Sequence, residues 1–180
     1  MEAFKEAIRA GRTVVTNGPW LTFEVNGQGP GAVLDLAAGD RLDIRARVEG
    51  PGAELLTLVG PDAVMAEGDA VSELRFETTV DEPTWIAVVA RGGSHPHTLD
   101  ESVLAHTSPV YIDVAGERVG HPADARWCLR FLDALELLVD EHGHFHLETR
   151  DAHFGELVSV LDEARSFYRR VAETAEGRQT

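Results

Sequence analysis

The fold is decided by the stretch Arg41-Leu42-Asp43-Ile44-Arg45-Ala46-Arg47-Val48, in which every even-numbered residue is apolar and every odd-numbered residue is charged. Successive side chains of a strand point to opposite faces, so this pattern predicts a β-strand with one buried and one wet face. Burial on one face is typical of antiparallel sheets. The three arginines are therefore interpreted as surface residues of a strand, offset by neighbouring acids, rather than as a basic binding patch.

Further short stretches of β-type sequence surround this strand, and Gly-, Pro- and Asn-containing turns such as Asn17-Gly18-Pro19 and Asn26-Gly27 separate them. Strands are predicted at residues 13–16, 20–25, 33–36, 41–48, 54–59, 62–66, 74–80, 85–90 and 110–114. About eight short strands with turns roughly every 8–12 residues predict an immunoglobulin-like antiparallel β-sandwich. No alternation of strands and helices indicates a Rossmann sheet or a TIM barrel.

One strand is expected to lie at the centre of the sheet. Residues 85–90, Trp85-Ile86-Ala87-Val88-Val89-Ala90, are apolar without interruption, which predicts burial on both faces. Trp85, Ile86 and Val88 are expected among the most buried residues, and Trp85→Ala is expected to cost about 3–5 kcal/mol.

The periodicity changes from Pro122 onward, where apolar residues recur every three to four positions. This pattern predicts one amphipathic helix ending near His142-Gly143 and a second over residues 151–175, which together form an αα-hairpin. A short helix with Phe4 and Ile8 on one stripe is predicted over residues 2–10. The predicted organisation is a short N-terminal helix (1–12, the end of an upstream domain), a β-sandwich (13–120) and a C-terminal helical hairpin with its tail (121–180).

The chain of 180 residues carries 31 acidic and 16 basic residues and a net charge of -15. This balance excludes ordinary nucleic-acid binding, which depends on Lys and Arg neutralising phosphates, and it disfavours anionic membrane surfaces. The single cysteine, Cys128, excludes an intramolecular disulfide and a cysteine-only zinc site. The N-terminus is acidic and amphipathic and does not resemble a signal peptide, so a cytoplasmic location is expected.

His142, His144 and His146 form the most conspicuous candidate metal site. Alternate residues of an extended segment point to one side, which makes a three-ligand site geometrically possible. Gly143 interrupts that geometry, however, and histidines in a polar connection between two helices are the favoured interpretation. A small metalloenzyme using these three histidines therefore remains only a remote alternative, and His95 and His97 are assigned to a loop.

His106 and Ser108 resemble a base and a nucleophile two residues apart. A catalytic serine needs a strained, exposed turn and an oriented carboxylate partner, and the sequence contains no G-x-S-x-G motif. A structural histidine at a strand edge is favoured instead. The Gly-rich segment 26–31 lacks the Lys-Ser/Thr and the following helix of a phosphate-binding loop. No catalytic, cofactor-binding or metal-binding residue is therefore assigned in this chain.

Three ordered motifs resemble the C-terminal region of CehA/McbA-type metallohydrolases of the polymerase-and-histidinol-phosphatase (PHP) superfamily. They are the segment 7–19 ending in Thr16-Asn17-Gly18-Pro19, the segment 85–87, and the segment 105–112, in which His106, Ser108 and Tyr111 stand. The helical end, with residues 162–165 and Tyr168, is also similar. The metal ligands of that family belong to an N-terminal barrel with no counterpart in these residues. The resemblance therefore implies structural roles for Asn17, Gly18, Pro19, His106, Ser108 and Tyr111.

The resemblance implies a non-catalytic accessory domain that packs against the catalytic domain of a metal-dependent, phosphoesterase-like hydrolase or mediates its oligomerisation. No cofactor is expected in this chain, and a divalent metal is expected only in that catalytic domain. The alternative is a stand-alone immunoglobulin-like module that binds a carbohydrate or protein through Trp20 and the 92–102 region. Self-association is also expected, as a homodimer through the N-terminal helix or the helical hairpin. The dimer is expected to become tighter as the salt concentration rises, because salt screens the negative charge of the chain.

Overall fold

A computed structural model describes residues 2–61, 63–70, 73–98 and 102–176. The chain divides into two compact units, Met1–Val119 and Gly120–Thr180, which we call the β unit and the helical unit. The described residues form ten strands and three helices. In the β unit these are α1 (Glu2–Arg9), β1 (Val14–Thr16), β2 (Trp20–Val25), β3 (Val33–Leu36), β4 (Asp40–Glu49), β5 (Leu55–Val59), β6 (Val64–Asp69), β7 (Leu74–Val80), β8 (Thr84–Gly92), β9 (Val103–Thr107) and β10 (Val110–Val114); in the helical unit, α2 (Pro122–His142) and α3 (Arg150–Glu176).

The strands form two sheets. The smaller sheet has the order β2-β4-β7 and is antiparallel. In the larger sheet β8 pairs with β5 and, along different stretches, with β9 and β10. β6 extends this sheet beyond β5, β1 lies antiparallel to β9, and β3 lies parallel to β10. The protein is therefore mainly β with two C-terminal helices, consistent with the predicted β-sandwich followed by a hairpin.

One hydrophobic core contains residues from both sheets. It comprises the buried side chains Leu21, Phe23, Val25, Leu42, Ile44, Ala46, Val48, Leu56, Leu58, Ala70, Val80, Ile86, Val88, Ala90, Ala105, Val110, Ile112 and Val114. The alternation predicted for residues 41–48 is confirmed, because the even-numbered residues of β4 are buried and its three arginines are exposed. Each of these arginines forms an ion pair along the surface of the sheet, Arg41 with Glu77, Arg45 with Asp43 and Arg47 with Glu49.

The prediction of full burial on both faces of residues 85–90 is wrong for Trp85. Ile86 and Val88 are completely buried, whereas Trp85 is only half-buried. Neighbouring residues of a strand point to opposite faces, so Ile86 and Val88 face the core while Trp85 lies on the outer face opposite Tyr111. Strand β8 is nevertheless central, as predicted, since it has neighbours on both edges.

Strand β9 is an addition to the predicted strands, since residues 103–107 were not assigned to one. Its outward-facing residues are Leu104 and His106. Because Leu104 is apolar, the strand lacks a clear alternation of apolar and polar residues in the sequence. The short return strand predicted at 62–66 is displaced and runs from Val64 to Asp69, and Asp62 lies outside the described residues.

The two helices of the helical unit pack against each other along half-buried apolar residues, with Leu161 buried between them. Pro122 occupies the first turn of α2, where its lack of an N–H group costs nothing. The hairpin turn is tied by Arg150, whose guanidinium donates to the side chain of Asp140 at 2.6 Å and to its backbone carbonyl at 3.1 Å. No helix of the described residues is both long enough and apolar enough to cross a membrane.

Candidate functional site

Asn17, Gly18 and Pro19 carry the chain from one sheet to the other, because β1 belongs to the larger sheet and β2 to the smaller. The Asn17 side chain donates to the carbonyl of Ser102 at 2.6 Å and accepts from the N–H of Leu104 at 2.9 Å. The backbone N–H of Asn17 also donates to the carbonyl of Leu104 at 3.1 Å. Asn17 therefore extends the pairing with β9 by one residue after β1 has ended.

The turn itself is closed by Thr16. Its hydroxyl donates to the carbonyl of Pro19 at 2.6 Å and accepts from the N–H of Gly18 at 3.0 Å. A Cβ atom on Gly18 would lie 2.8 Å from the side chain of Thr98, which explains the glycine. Pro19 is buried. These contacts give the Thr16–Pro19 motif a structural role as the crossing between sheets.

At Ser108, between β9 and β10, the neighbouring strand on one side changes from β1 to β3. The backbone N–H of Ser108 donates to the carbonyl of Thr13 at 2.9 Å, and the hydroxyls of the two residues are 2.7 Å apart. One residue further along, the carbonyl of Pro109 accepts from the N–H of Gly31 at 2.9 Å. The chain therefore pairs with β1 before Ser108 and with β3 after Pro109. The two motifs quoted above from opposite ends of the β unit are thus in direct contact.

His106 and Tyr111 lie on the outer face of the larger sheet. His106 is exposed between Val15 of β1 and Val89 of β8, and among the described residues no hydrogen bond joins it to Ser108. Tyr111 is 37% exposed between Trp85 and Val33. The structure therefore brings Ser108 to Thr13 rather than to His106, and the pair does not form a nucleophile with its base.

Trp20 and the 92–102 region, suggested above as a binding surface, converge at one end of the β unit. A Cβ atom on Gly50 would lie 3.0 Å from Pro19, the neighbour of Trp20, and one on Gly52 would lie 2.9 Å from the Cβ of His95. Trp20 itself is 61% exposed. Residues 99–101 of this region lie outside the described residues. The result is a cluster of close-packed loops beside one exposed indole ring.

His142, His144 and His146 are all exposed around the end of α2 and the connection that follows it. Across the described ranges, no three His, Cys, Asp or Glu side chains are placed to hold a metal ion together. His95 and His97 lie with ring centroids 5.3 Å apart in their loop.

A charged cluster that the sequence did not reveal joins the two helices of the helical unit. Arg165 of α3, whose side chain is 9% exposed, donates to Asp133 at 2.9 Å and to Glu136 at 2.7 Å across the helix pair, and to Asp162 at 2.9 Å within α3. Hydrogen bonds to the Glu136 and Asp162 carboxylates raise the pKa of Arg165 above its usual range. The i,i+3 spacing of Asp162 and Arg165 was visible in the sequence, but their partners on α2 were not. The cluster acts as a clamp between the helices.

Two exposed apolar surfaces lie on helices of the described residues. Helix α1 buries none of its residues, and its Phe4 and Ile8 are 69% and 53% exposed. In the helical unit the rings of Trp127 and Phe131 stack with their centroids 5.4 Å apart, yet both are more than half exposed. These exposed apolar side chains make α1 and the Trp127–Phe131 pair candidate interaction surfaces.

Comparisons with protein-family models, with curated proteins and with solved structures find no match.

Proposed function

We propose that this chain is a non-catalytic accessory domain of a metal-dependent hydrolase of the PHP superfamily and that α1 packs on the catalytic domain. The observation that carries the proposal is α1 itself, an eight-residue helix with no buried residue and with both of its large apolar side chains exposed. Isolated helices shorter than about 12–15 residues are marginal in water. Such a helix gains its stability from a surface that covers Phe4 and Ile8.

The attachment of α1 to the β unit supports this role. A Cβ atom on Gly31 would overlap the carbonyl oxygen of Ala10. A Cβ atom on Gly11 would lie 3.5 Å from the Cα atom of Gly31. Only two residues, Arg12 and Thr13, then separate Gly11 from β1. A partner that binds α1 would therefore be held beside the β unit by a short, closely packed connection.

The strand order supports the finer assignment of the β unit as immunoglobulin-like. In that fold two sheets of antiparallel strands have the local orders A-B-E and C-F-G. The order β2-β4-β7 corresponds to A-B-E, and β5, β8 and the split strand β9–β10 correspond to C, F and G. Strand β6 then adds a C′ strand beside β5.

Two measurements on the purified chain test this proposal. Phosphodiester and carboxyl-ester hydrolysis should stay at background in the presence of Mn²⁺ or Zn²⁺, and metal-dependent turnover well above a no-protein control would contradict the accessory role. The double variant Phe4→Glu, Ile8→Glu should change the free energy of unfolding of the β unit by no more than about 0.5 kcal/mol, the usual range for surface positions. A large loss would mean that α1 is already seated on this chain.

The second candidate is a stand-alone binding module, favoured by the convergence of Trp20 with the 50–52 and 93–98 loops. Loops at one end of a sandwich commonly carry recognition, and an exposed indole offers a flat surface for a sugar ring. Binding to a glycan panel that Trp20→Ala abolishes would support this module. A gene that encodes a barrel with histidine motifs upstream of Met1 and in the same reading frame would support the accessory domain instead.

A further inference from the structure

The described part of the helical unit exposes seven large apolar side chains. Leu137 and Leu147 stand apart, and the other five form one stripe on each helix. Trp127, Phe131 and Leu138 of α2 and Val160 and Phe167 of α3 are each between 51% and 62% exposed, and we call them the outer face. In α2 their spacing is i, i+4, i+11, and in α3 it is i, i+7, so each set forms one stripe along its helix. Each of these side chains is more than half exposed, whereas the buried positions of the hairpin, such as Leu161, lie elsewhere on the helices.

The two stripes lie on the same side of the hairpin. Asp133 follows Phe131 by two residues, and Asp162 follows Val160 by two residues, which is a rotation of about 200° around each helix. Both aspartates bind the guanidinium of Arg165. Since Arg165 holds them together on one side of the helix pair, the stripes must share the opposite side. The hairpin therefore has one charged face and one apolar face.

The apolar area of the outer face is close to that of one side of a specific interface. Three aromatic and two aliphatic side chains that are half exposed leave about 500 Å² of apolar surface on each copy, since a fully buried aromatic residue accounts for roughly 150–250 Å². Two such faces would bury about 1,000 Å² before polar margins are added, which approaches the roughly 1,200–2,000 Å² of specific protein interfaces.

Charged residues along the margins of the outer face differ between its two ends, apart from Asp124 at the open end and Glu163 near the middle. The open end of the hairpin carries Arg130 and Arg170, and the end near the turn carries Glu141 and Glu156. Two copies stacked with their open ends together would place like charges opposite each other. Two copies stacked in opposite directions would place each basic end against an acidic end.

We propose that the outer face is the interface of a two-fold homodimer in which the hairpins of two copies stack antiparallel, α2 on α2 and α3 on α3. When Val160 of one copy lies opposite Phe167 of the other, Glu156 lies within one residue of the position opposite Arg170. The contacts of Arg165 with Asp133 and Glu136 align the centre of α3 with residues 135–136 of α2. About that centre Arg130 lies opposite Glu141, so a single register brings both pairs of opposite charges together. This inference does not depend on the proposed association with a hydrolase.

The matched pair Leu138→Glu and Leu147→Glu tests the interface in the full chain. Both leucines are exposed, at 56% and 91%, and both substitutions add the same charge, but only Leu138 belongs to the outer face. Sedimentation at fixed ionic strength should show a dimer for the native chain and for Leu147→Glu. For Leu138→Glu the dimer dissociation constant should rise by roughly 100-fold or more, because an unpaired carboxylate would be buried. A native chain that is monomeric at about 100 μM, or a dimer that both variants leave intact, would overturn the proposal.

Charge variants test the antiparallel orientation. Glu156→Arg and Arg170→Glu should each weaken the dimer by roughly 3- to 10-fold, and the double variant should restore it. Glu163 lies near the two-fold axis opposite its own copy, so Glu163→Gln should tighten the dimer. With hairpins stacked open end to open end, Glu156→Arg would instead strengthen association, because it would face Glu141. That result would overturn the antiparallel register. The circular dichroism of each variant is the control, because it shows whether the helices remain folded.

Discussion

The β unit and the helical unit handle their apolar surface in opposite ways. The eighteen buried residues of the hydrophobic core all belong to the β unit. In the described part of the helical unit the buried residues are Pro122, Ala125, Leu161, Arg165 and Ala172, two of which are alanines and one of which is charged. Five large apolar residues of the same unit remain more than half exposed on its outer face.

In the β unit the large apolar residues of the core contribute to stability, whereas in the helical unit five large apolar residues remain accessible for interaction. Two sheets can enclose a core between them, whereas two helices meet along one stripe each and leave a second stripe uncovered. In the helical unit the Arg165 clamp and the Arg150–Asp140 contact at the turn join the two helices through charge. The β unit is therefore expected to determine the stability of the chain, whereas the outer face of the helical unit is expected to contribute to self-association rather than to stability.

The largest effect is expected from two neighbouring residues of β8 that face opposite sides. Ile86 is completely buried, so Ile86→Ala should lower the free energy of unfolding by about 2–5 kcal/mol. Trp85→Ala should cost only about 1–2 kcal/mol, less than expected from the sequence, because the ring is half-buried on the outer face. Urea unfolding followed by far-ultraviolet circular dichroism measures both. Equal losses would show that Trp85 is covered as completely as Ile86.

A pair of glycine substitutions should give effects of opposite sign in the two units. A Cβ atom on Gly92 of β8 would overlap the carbonyl oxygen of Gly52, so Gly92→Ala should destabilise the β unit by about 1–3 kcal/mol. Gly155 of α3 has no neighbour within 4 Å of its Cβ position. Gly155→Ala should therefore stabilise the helix by up to about 1 kcal/mol. Thermal unfolding of the two variants beside the native chain provides the measurement, and a destabilising Gly155→Ala would contradict the exposed position of that residue.

Elements with a clean local period could be predicted from the sequence, and contacts between distant segments could not. The alternation in β4 and the helical spacing of α2 predicted both elements, and the predicted ends lie within two residues of the observed ends. Strand β9 escaped prediction because Leu104 places an apolar residue on its outer face. A continuous apolar run suggested that Trp85 was buried, although the strand period turns it outward.

The structural motifs show the same limit. Thr13 and Ser108 are 95 positions apart in sequence, and the partners of Arg165 on α2 are 29 and 32 positions away. Their residue types were visible, but pairing over such separations depends on the tertiary fold. The interaction surfaces were predictable only as apolar stripes, since a stripe by itself does not indicate whether its own chain covers it.

The smallest effect concerns the wet face of β4, where Arg45 donates hydrogen bonds to Asp43. This hydrogen bond lowers the pKa of Asp43 below its ordinary value of about 3.9. A lowered pKa in the folded state means that the contribution of Asp43 to stability is present above the unfolded pKa. That contribution is lost as the pH falls through the lowered folded value. Both side chains are nearly half exposed, so water screens the pair and keeps the effect small.

The variant Asp43→Asn should therefore be slightly less stable than the native chain at about pH 6, and the difference should shrink as the pH is lowered toward about 3. Urea unfolding at a series of pH values measures this difference. In an Arg45→Ala background, which removes the hydrogen-bond donor, the same substitution should produce a weaker dependence on pH, because less of the pKa shift remains. A difference between Asp43→Asn and the native chain that grows as the pH falls would contradict the sign of the shift. A pH dependence that Arg45→Ala leaves unchanged would show that the charge on the wet face acts through another partner, such as Arg75 or Arg41, which also lower the pKa of Asp43.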